Sequence, residues 1–264
     1  MKNFDHVVTV DKNIHAKLRV KPNPDFAHAK GLNVAAISLS ELSGCTGNFP
    51  VVFVQSPDSK SFRPVALFGL RPGENVYYGA DGWDSSYVPM IIQEHPFLVG
   101  FDDRLEDSKT LTICLDTKSP FLSEEEGVAL YHEGGVETDM LKYHRQLLAQ
   151  IFEGEKRTEQ FTRKLVEMDL LAPIELILQS QQDMEMRKIA GLFTVDEGKL
   201  RGLRAEQLLE LHQLDFLPAC YIILASQFQL HNLIKLRNRK TGEVVNYRID
   251  LPQPGAANAG VPVA

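Results

Sequence analysis

The segment of residues 69–97 reads GLRPGENVYYGADGWDSSYVPMIIQEHPF, and it contains the only tryptophan of the chain, Trp83, together with four turn signals. Its Pro and Gly residues predict a turn at residues 71–73 and a tight turn at Asp81-Gly82. Between these turns, residues 76–78 have the aromatic and β-branched character of a short strand. The segment therefore predicts a turn, a strand and a second turn.

A short helix is predicted to follow the second turn. Ser85 or Ser86 can cap its free amides, Pro89 suits its first turn, and Pro96 stops it. The tryptophan and Tyr87 are therefore expected at a corner between a strand and a helix.

This corner has two interpretations. Several aromatic rings next to Arg71 form a surface that suits a planar or anionic ligand. In the alternative interpretation, the rings fill the end of a hydrophobic core and Arg71 pairs with Glu74 or Asp81, since large aromatic side chains mainly supply buried area. The candidate ligand-binding residues of this corner are Arg71, Asn75, Trp83 and Tyr87.

A second group of candidates lies near the start of the chain. If residues 15–20 are extended, alternation places His15, Lys17 and Arg19 on one side of the segment. His15 and Arg19 then join the candidate ligand-binding residues. The alternative is a solvated sheet edge whose charges discourage association with other sheets.

Composition limits the class of binding partner and the cellular compartment that we expect. The chain has 28 Lys plus Arg against 35 Asp plus Glu, a net charge of −7, and its dense basic run is limited to residues 237–240. Nucleic acid is therefore not expected as a partner. Cys45, Cys114 and Cys220 are widely spaced and odd in number, which is typical of reduced, buried thiols. Residues 1–13 carry charges where a signal peptide needs an apolar run, so we expect a cytoplasmic protein.

One segment has about the length of a membrane span. Residues 216–234 read FLPACYIILASQFQLHNLI and carry no formal charge. The second half of this segment brings four polar side chains, Gln227, Gln229, His231 and Asn232. Lipid would leave those polar groups unsatisfied. We therefore predict no integral membrane segment, and interpret residues 216–230 as a helix that is buried nearly all round, with Leu224 in the core.

The fold class follows from where strand and helix signals fall. Strand signals cluster before residue 116, at residues 34–39, 51–55, 64–70, 97–101 and 110–115. We expect the segments 51–55 and 64–70 to pair as a hairpin. We also expect 97–101 and 110–115 to pair across the acidic loop 102–107. Residues 32–116 are then predicted to form one sheet.

Helical periodicity dominates after residue 123. A long helix is predicted over residues 138–170, with Gly154 as a point of bending or division. Further helices are expected after Asp196 and at residues 204–212, and additional strands at 174–178, 191–195 and 244–251.

The sequence thus predicts an α+β fold, with an antiparallel-rich sheet in the N-terminal half covered by helices from the C-terminal half. We expect a single domain at residues 1–251, β-rich over 1–122 and helix-rich over 123–251. A flexible tail is predicted at 252–264.

Motifs of known chemistry do not appear in this sequence. It contains no P-loop, dinucleotide fingerprint, HExxH or GxSxG pattern. We therefore predict no metal and no cofactor, and the sequence assigns no catalytic residues. Cys114 falls on a predicted central strand, where burial makes a nucleophilic thiolate unfavourable.

The order of several short segments resembles the SapC family of bacterial proteins over about residues 6–236. The matching segments are DKNIH (11–15), LR (18–19), NFPVVF (48–53), VALFGLR (65–71), EN (74–75), YVP (87–89), PF (96–97), GLF (191–193) and LLEL (208–211). The resemblance brings no set of catalytic residues.

What the resemblance implies is an accessory or binding role. Family members often occur beside genes for outer-membrane nutrient uptake and halogenase-like flavoproteins, which implies a link to nutrient uptake or to the envelope. We therefore expect a non-catalytic protein that binds a protein partner or a small planar or anionic ligand. One alternative is an enzyme or small-ligand binder that uses the aromatic and cationic candidates. Another is a surface-layer component, which requires an export route.

Overall fold

The computed structural model describes residues 6–101, 111–180, 185–242 and 245–250. The predicted acidic loop 102–107 and the predicted tail 252–264 lie outside these ranges. The fold is α+β, as predicted, with antiparallel sheets and with helices concentrated in the C-terminal region.

The described strands are numbered β1 to β14 in chain order. They are Val7–Thr9, Arg19–Val20, Val34–Ala36, Val51–Gln55, Phe62–Leu67, Tyr78–Gly79, Gly82–Trp83, Phe97–Phe101, Leu111–Asp116, Leu122–Ser123, Val128–Ala129, Leu171–Ser180, Met186–Val195 and Val245–Asp250.

The described α-helices are numbered α1 to α7. They are Leu42–Thr46, Met90–Gln93, Asp139–Glu167, Glu197–Arg201, Ala205–Gln213, Phe216–Ser226 and Gln229–Thr241. Short 3-10 helices occur at Ala27–Ala29 and Leu39–Glu41.

Contacts between residues divide the chain into two compact units. The first consists of Met1–Ala27 and Met90–Glu153, and the second of His28–Pro89 and Gly154–Ala264. That residues 1–251 unfold cooperatively as a single domain stays a prediction.

The first unit is built on a three-stranded antiparallel sheet of order β1-β9-β8. The predicted pairing of residues 97–101 with 110–115 is confirmed, since Phe97 lies opposite Leu115 and Val99 opposite Ile113. Apolar side chains from these strands, from Leu130 and from the start of α3 form the core of this unit. Its buried members are Phe97, Ile113, Leu115, Leu130, Leu141 and Leu148.

The second unit is built on a six-stranded antiparallel sheet of order β14-β12-β13-β4-β5-β3. The predicted hairpin of residues 51–55 and 64–70 is confirmed as β4 and β5, with Val52 opposite Val65. The prediction of one sheet from residues 32–116 is wrong. Strands β8 and β9 belong to the first unit, and three strands from the C-terminal half complete the six-stranded sheet. Local sequence predicts strands, whereas sheet membership depends on long-range pairing.

Helix α3 confirms the predicted long helix, and Gly154 does not divide it. The helix runs without a break over 29 residues. At Gly154, an added Cβ would lie 2.9 Å from the Cβ of Ser38. Glycine is therefore needed for the close approach of residue 38, and the structure assigns this residue a packing role.

Helix α6 differs from the predicted helix that is buried nearly all round. It ends at Ser226, and α7 begins three residues later, at Gln229. Ile223 is fully buried, but Tyr221 is 47% exposed and Phe228 is 83% exposed. One face of α6 therefore packs on α1, β4 and β13, and the opposite face is exposed.

Within the described residues, no single helix has both the length and the apolar character of a membrane span. The segments Ala205–Gln213 and Phe216–Thr241 meet these requirements only as a pair, and they are bent by 91°.

Residues 78–83 form a short hairpin of β6 and β7, and the tight turn predicted at Asp81-Gly82 lies one residue earlier. Tyr78 pairs with Trp83 and Gly79 with Gly82, so the turn lies at Ala80-Asp81. Gly82 takes a positive φ of 96°, which glycine adopts without strain.

The helix predicted after this turn is the short α2, which begins at Met90. Ser85 and Ser86, the predicted caps, lie too far upstream for the N-cap position. Their hydroxyls instead both donate to Oδ1 of Asn48, each at 2.8 Å.

Candidate functional site

His15 and Arg19, the candidates in the first unit, make local contacts. Nδ1 of His15 accepts a hydrogen bond from the backbone N–H of Asp11 at 2.9 Å. Nη1 of Arg19 donates to the carbonyl of Gly127 at 3.1 Å. Strand β2 contains only Arg19 and Val20, so the predicted alternation along residues 15–20 is wrong. The hydrogen bond between His15 and Asp11 favours a turn there instead.

Arg71 and Asn75 lie in the second unit, near the predicted turn. Arg71 is exposed. Glu74, one of the acids expected to pair with it, accepts a hydrogen bond from Nε of Arg237 at 2.9 Å. Nδ2 of Asn75 donates to the carbonyl of Ala29 at 2.8 Å, and its Oδ1 accepts from the backbone N–H two residues later at 2.9 Å. Asn75 thus fixes the backbone on both sides of it.

Asn75 also lines an open cleft of about 830 Å³, called here the Asn75 cleft. Three glycines and two lysines contribute to its walls. The lining residues are Lys30, Gly31, Gly73, Asn75, Tyr78, Gly79, Ala80 and Lys240.

Trp83 and Tyr87 contact each other and the core of the second unit. Nε1 of Trp83 donates to the carbonyl of Tyr87 at 2.9 Å. The indole packs edge-on against Phe68 and Phe49, with ring centroids 5.2 and 6.0 Å away. The Tyr87 hydroxyl donates to Oε1 of Glu41 at 3.1 Å. Burial, and then the Glu41 carboxylate, raise the pKa of Tyr87.

These contacts agree with the interpretation in which the aromatic rings fill the end of a core. The indole N–H and the Tyr87 hydroxyl already have protein acceptors. A direct contact of either residue with a ligand stays a prediction.

A smaller cleft in the same unit has more of the features of a binding site. Its volume is about 280 Å³, and it lies between the loop after α1, the region of the β6–β7 hairpin and helix α7. We call it the Tyr77 cleft. Its lining residues are Gly47, Asn48, Tyr77, Asp84, Ser85, Gln229, Asn232, Lys235, Leu236 and Arg239.

Tyr77 is the most unusual residue of this cleft. Its side chain is only 4% exposed, and its ring packs edge-on against Phe49 with centroids 4.7 Å apart. No protein group in the described part of the chain hydrogen-bonds to its hydroxyl. Burial raises the pKa of Tyr77, so the hydroxyl keeps its proton near neutral pH. A buried hydroxyl without a partner is rare in proteins and disfavours the folded state.

The charges of the Tyr77 cleft come from two elements. Lys235 and Arg239 lie one helical turn apart on α7, and neither forms an ion pair among the described residues. Asp84 contributes a carboxylate from the segment that follows β7. Its backbone N–H donates to the carbonyl of Tyr77 at 2.6 Å, which fixes the two residues next to each other.

Lys240 follows Arg239 on α7. Its Nζ donates to the carbonyl of Tyr78 at 2.7 Å, and it lines the Asn75 cleft. Burial lowers the pKa of Lys240, and the nearby Asp84 carboxylate partly opposes that shift.

The cysteines are free and buried, as predicted. Burial raises the pKa of Cys220 to about 12 and raises that of Cys45 even further. These two thiols are therefore protonated near neutral pH and are poor nucleophiles. Within the ranges that the structure describes, no group of three or more His, Cys, Asp or Glu side chains is placed to hold a metal.

The Tyr77 cleft is not predicted by the sequence. Tyr77 falls on a predicted strand, and Arg239 belongs to the basic run 237–240. The basic run is the feature of the sequence that could have indicated the cleft. Charged residues at successive helical positions face different surroundings, so at least one of them can face a cleft.

Together, the fold and the clefts define an α+β protein of antiparallel sheets, with a small polar cleft beside a basic helix. The SapC family model matches residues 10–233 of the 264, so the chain belongs to the SapC family. The predicted resemblance is thereby confirmed over nearly the predicted range. No curated protein and no solved structure matches the chain.

Proposed function

We propose that this SapC-family chain is a non-catalytic binding protein that takes a small anionic ligand in the Tyr77 cleft. The observation that carries this proposal is the buried Tyr77 hydroxyl, which has no hydrogen-bond partner in the described protein. A carboxylate or phosphate oxygen of a ligand would accept a hydrogen bond from this hydroxyl. Hydrogen bonds to ionised acceptors are about twice as strong as neutral ones.

The two cations of α7 support an anionic ligand. Lys235 and Arg239 both line the cleft, and neither is neutralised by an acidic partner in the described chain. An arginine donates two parallel hydrogen bonds to a carboxylate or phosphate, and a lysine adds a compact positive charge. The cleft therefore combines a neutral donor with two cationic donors.

The groups of the Tyr77 cleft and the buried thiols favour a binding role over an enzymatic role. The cleft supplies hydrogen-bond donors and charge, which position and hold a ligand. The thiols of Cys45 and Cys220 are protonated by burial.

The substitution Tyr77→Phe separates a ligand contact from a structural role. It keeps the ring packing and removes a hydroxyl that costs about 1–3 kcal/mol when buried without a partner. We expect the free energy of unfolding to stay the same or to rise. Ligand affinity should fall at least about tenfold, since a charge-assisted hydrogen bond contributes about 1.5–3 kcal/mol.

Thr194→Val is the matched control. Thr194 is 6% exposed, and its hydroxyl also lacks a partner in the described chain, but it lies on β13 and does not line the cleft. Both variants should melt at or above the wild-type temperature, while only Tyr77→Phe weakens binding.

Ligands are found by thermal shift and calorimetry against small carboxylates and phosphate esters, with inorganic phosphate as the simplest probe. If no compound binds wild type, or if Tyr77→Phe binds as tightly as Thr194→Val, the assignment of this cleft fails.

We also propose an accessory role in the cytoplasm, next to nutrient-uptake or envelope functions. This part rests on what the family resemblance implies. Cell fractionation and co-purification with an uptake component provide its test. Recovery of the protein from the cell exterior would instead favour a surface-layer component.

A further inference from the structure

We propose that the Tyr77 cleft selects a zwitterion, a small molecule of the amino-acid type, whose carboxylate binds at Arg239 and whose ammonium group binds at Asp84. This inference rests on the proposed function, and it adds the chemical class of the ligand. The observation behind it is that a carboxylate side chain lines the same small cleft as the two cations of α7.

The position of Asp84 is fixed by the backbone. Its N–H donates to the carbonyl of Tyr77 at 2.6 Å, so the backbone of Asp84 is held next to Tyr77, whose hydroxyl has no hydrogen-bond partner in the described chain. No donor in the described chain forms a side-chain hydrogen bond or ion pair with the Asp84 carboxylate. The negative charge of Asp84 acts on Lys240, the residue next to Arg239 on α7, and opposes the lowering of the Lys240 pKa by burial.

Charge complementarity then distinguishes three kinds of ligand. A purely anionic ligand in the cleft gains from Lys235 and Arg239 but is repelled by Asp84. A purely cationic ligand meets the opposite pattern and is repelled by two groups. A zwitterion places each of its charges next to an opposite one, so it is repelled less than a ligand that carries charge of a single sign.

The size of the cleft agrees with a ligand of this class. Its volume of about 280 Å³ lies just below the range for drug-sized small-molecule sites, which is about 300–1,000 Å³. A single amino acid fits such a cleft, whereas a dinucleotide does not.

Matched ligand pairs that differ by the ammonium group provide the test. The probes are L-glutamate with glutarate, and L-alanine with propionate, measured by calorimetry on the full chain. We expect wild type to bind the aminated member of each pair more tightly by up to about fivefold, the upper limit for one solvent-exposed charge pair. Asp84→Asn should reduce this ratio to about one.

Asp81→Asn is the control, because Asp81 is an exposed acid in the turn of the same hairpin and does not line the cleft. It changes the net charge by the same amount and should leave the ratio unchanged. The ratio is insensitive to partial unfolding, because any loss of folded protein weakens both members of a pair equally.

The outcomes separate this inference from the proposed function. If glutarate and propionate bind as tightly as their aminated partners, and Tyr77→Phe weakens both, the site stands and the zwitterion assignment is overturned. The same holds if Asp84→Asn leaves the wild-type preference intact. If neither member of any pair binds, and inorganic phosphate also fails to bind, the proposed function itself is refuted.

Discussion

The buried pair Arg237–Glu74 should be the ion pair on which the second unit depends most. The Arg237 side chain is 1% exposed and that of Glu74 is 17% exposed, and Nε lies 2.9 Å from Oε1. The second carboxylate oxygen of Glu74 accepts from the backbone N–H of Leu70 at 2.7 Å. The pair therefore joins helix α7 to the turn before the β6–β7 hairpin.

Replacing Arg237 by Met retains much of the buried volume and removes the charge. Breaking a buried pair costs about 3–5 kcal/mol, because the remaining charge loses its partner. Glu74 is partly exposed and keeps its hydrogen bond from Leu70. We therefore expect Arg237→Met to lower the free energy of unfolding by about 3 kcal/mol, the lower end of this range. Glu74→Gln should cost a similar amount, since a buried arginine cannot lose its proton. The double variant should cost clearly less than the sum.

Arg63→Met is the matched control. Arg63 pairs with Glu155, and both side chains are more than half exposed, so the same substitution should cost less than about 1 kcal/mol. Unfolding in urea is followed by circular dichroism and by Trp83 emission. Coincident transitions would support the predicted single domain. Equal costs for Arg237→Met and Arg63→Met, or additive costs in the double variant, would refute the reasoning.

Three further outcomes are expected. Gly154→Ala should leave the free energy of unfolding unchanged or lower it by up to about 2 kcal/mol, because overpacking against Ser38, at about 1–3 kcal/mol, opposes a helix-propensity gain of about 1 kcal/mol. A gain of 1 kcal/mol in urea unfolding would contradict this contact. Ile223→Ala should lower the free energy of unfolding by about 2–5 kcal/mol, because Ile223 is fully buried. Leu224 is only partly buried, so Leu224→Ala should lower it by less in the same urea unfolding experiment. Burial lowers the pKa of His144, so the unfolded state binds more protons and stability should decrease as pH falls below about 6.5. An NMR titration that gives His144 a pKa above this value would disprove it.

Strands were predicted well where the local pattern was sufficient. Residues 51–55 and 97–101 were predicted with the bounds that the structure has, because β-branched and aromatic residues are flanked there by turn signals. Their assignment to one sheet failed. Strand β4 pairs with β13, whose residues lie about 140 positions later, and no local pattern specifies such a partner.

Helix burial was harder to predict than helix position. The apolar composition of residues 216–230 suggested burial on every side, yet Tyr221 and Phe228 are exposed. Composition sets how much apolar surface a helix has, whereas the neighbouring elements decide which face is covered. Gly154 shows the converse case. The sequence shows that this glycine weakens a helix. It does not show the close approach of Ser38, which requires a glycine at residue 154.

The basic run 237–240 shows why the candidate site was not visible in the sequence. Consecutive residues on an α-helix are about 100° apart, so one run of charges faces several surroundings. Arg237 is buried against Glu74, Arg239 lines the Tyr77 cleft, and Lys240 binds the carbonyl of Tyr78. The acids and carbonyls that meet these cations lie about 160 residues earlier in the chain. The function of each cation is therefore set by the packing of α7 against the hairpin region, and an assay of any one of them must use the other two as controls.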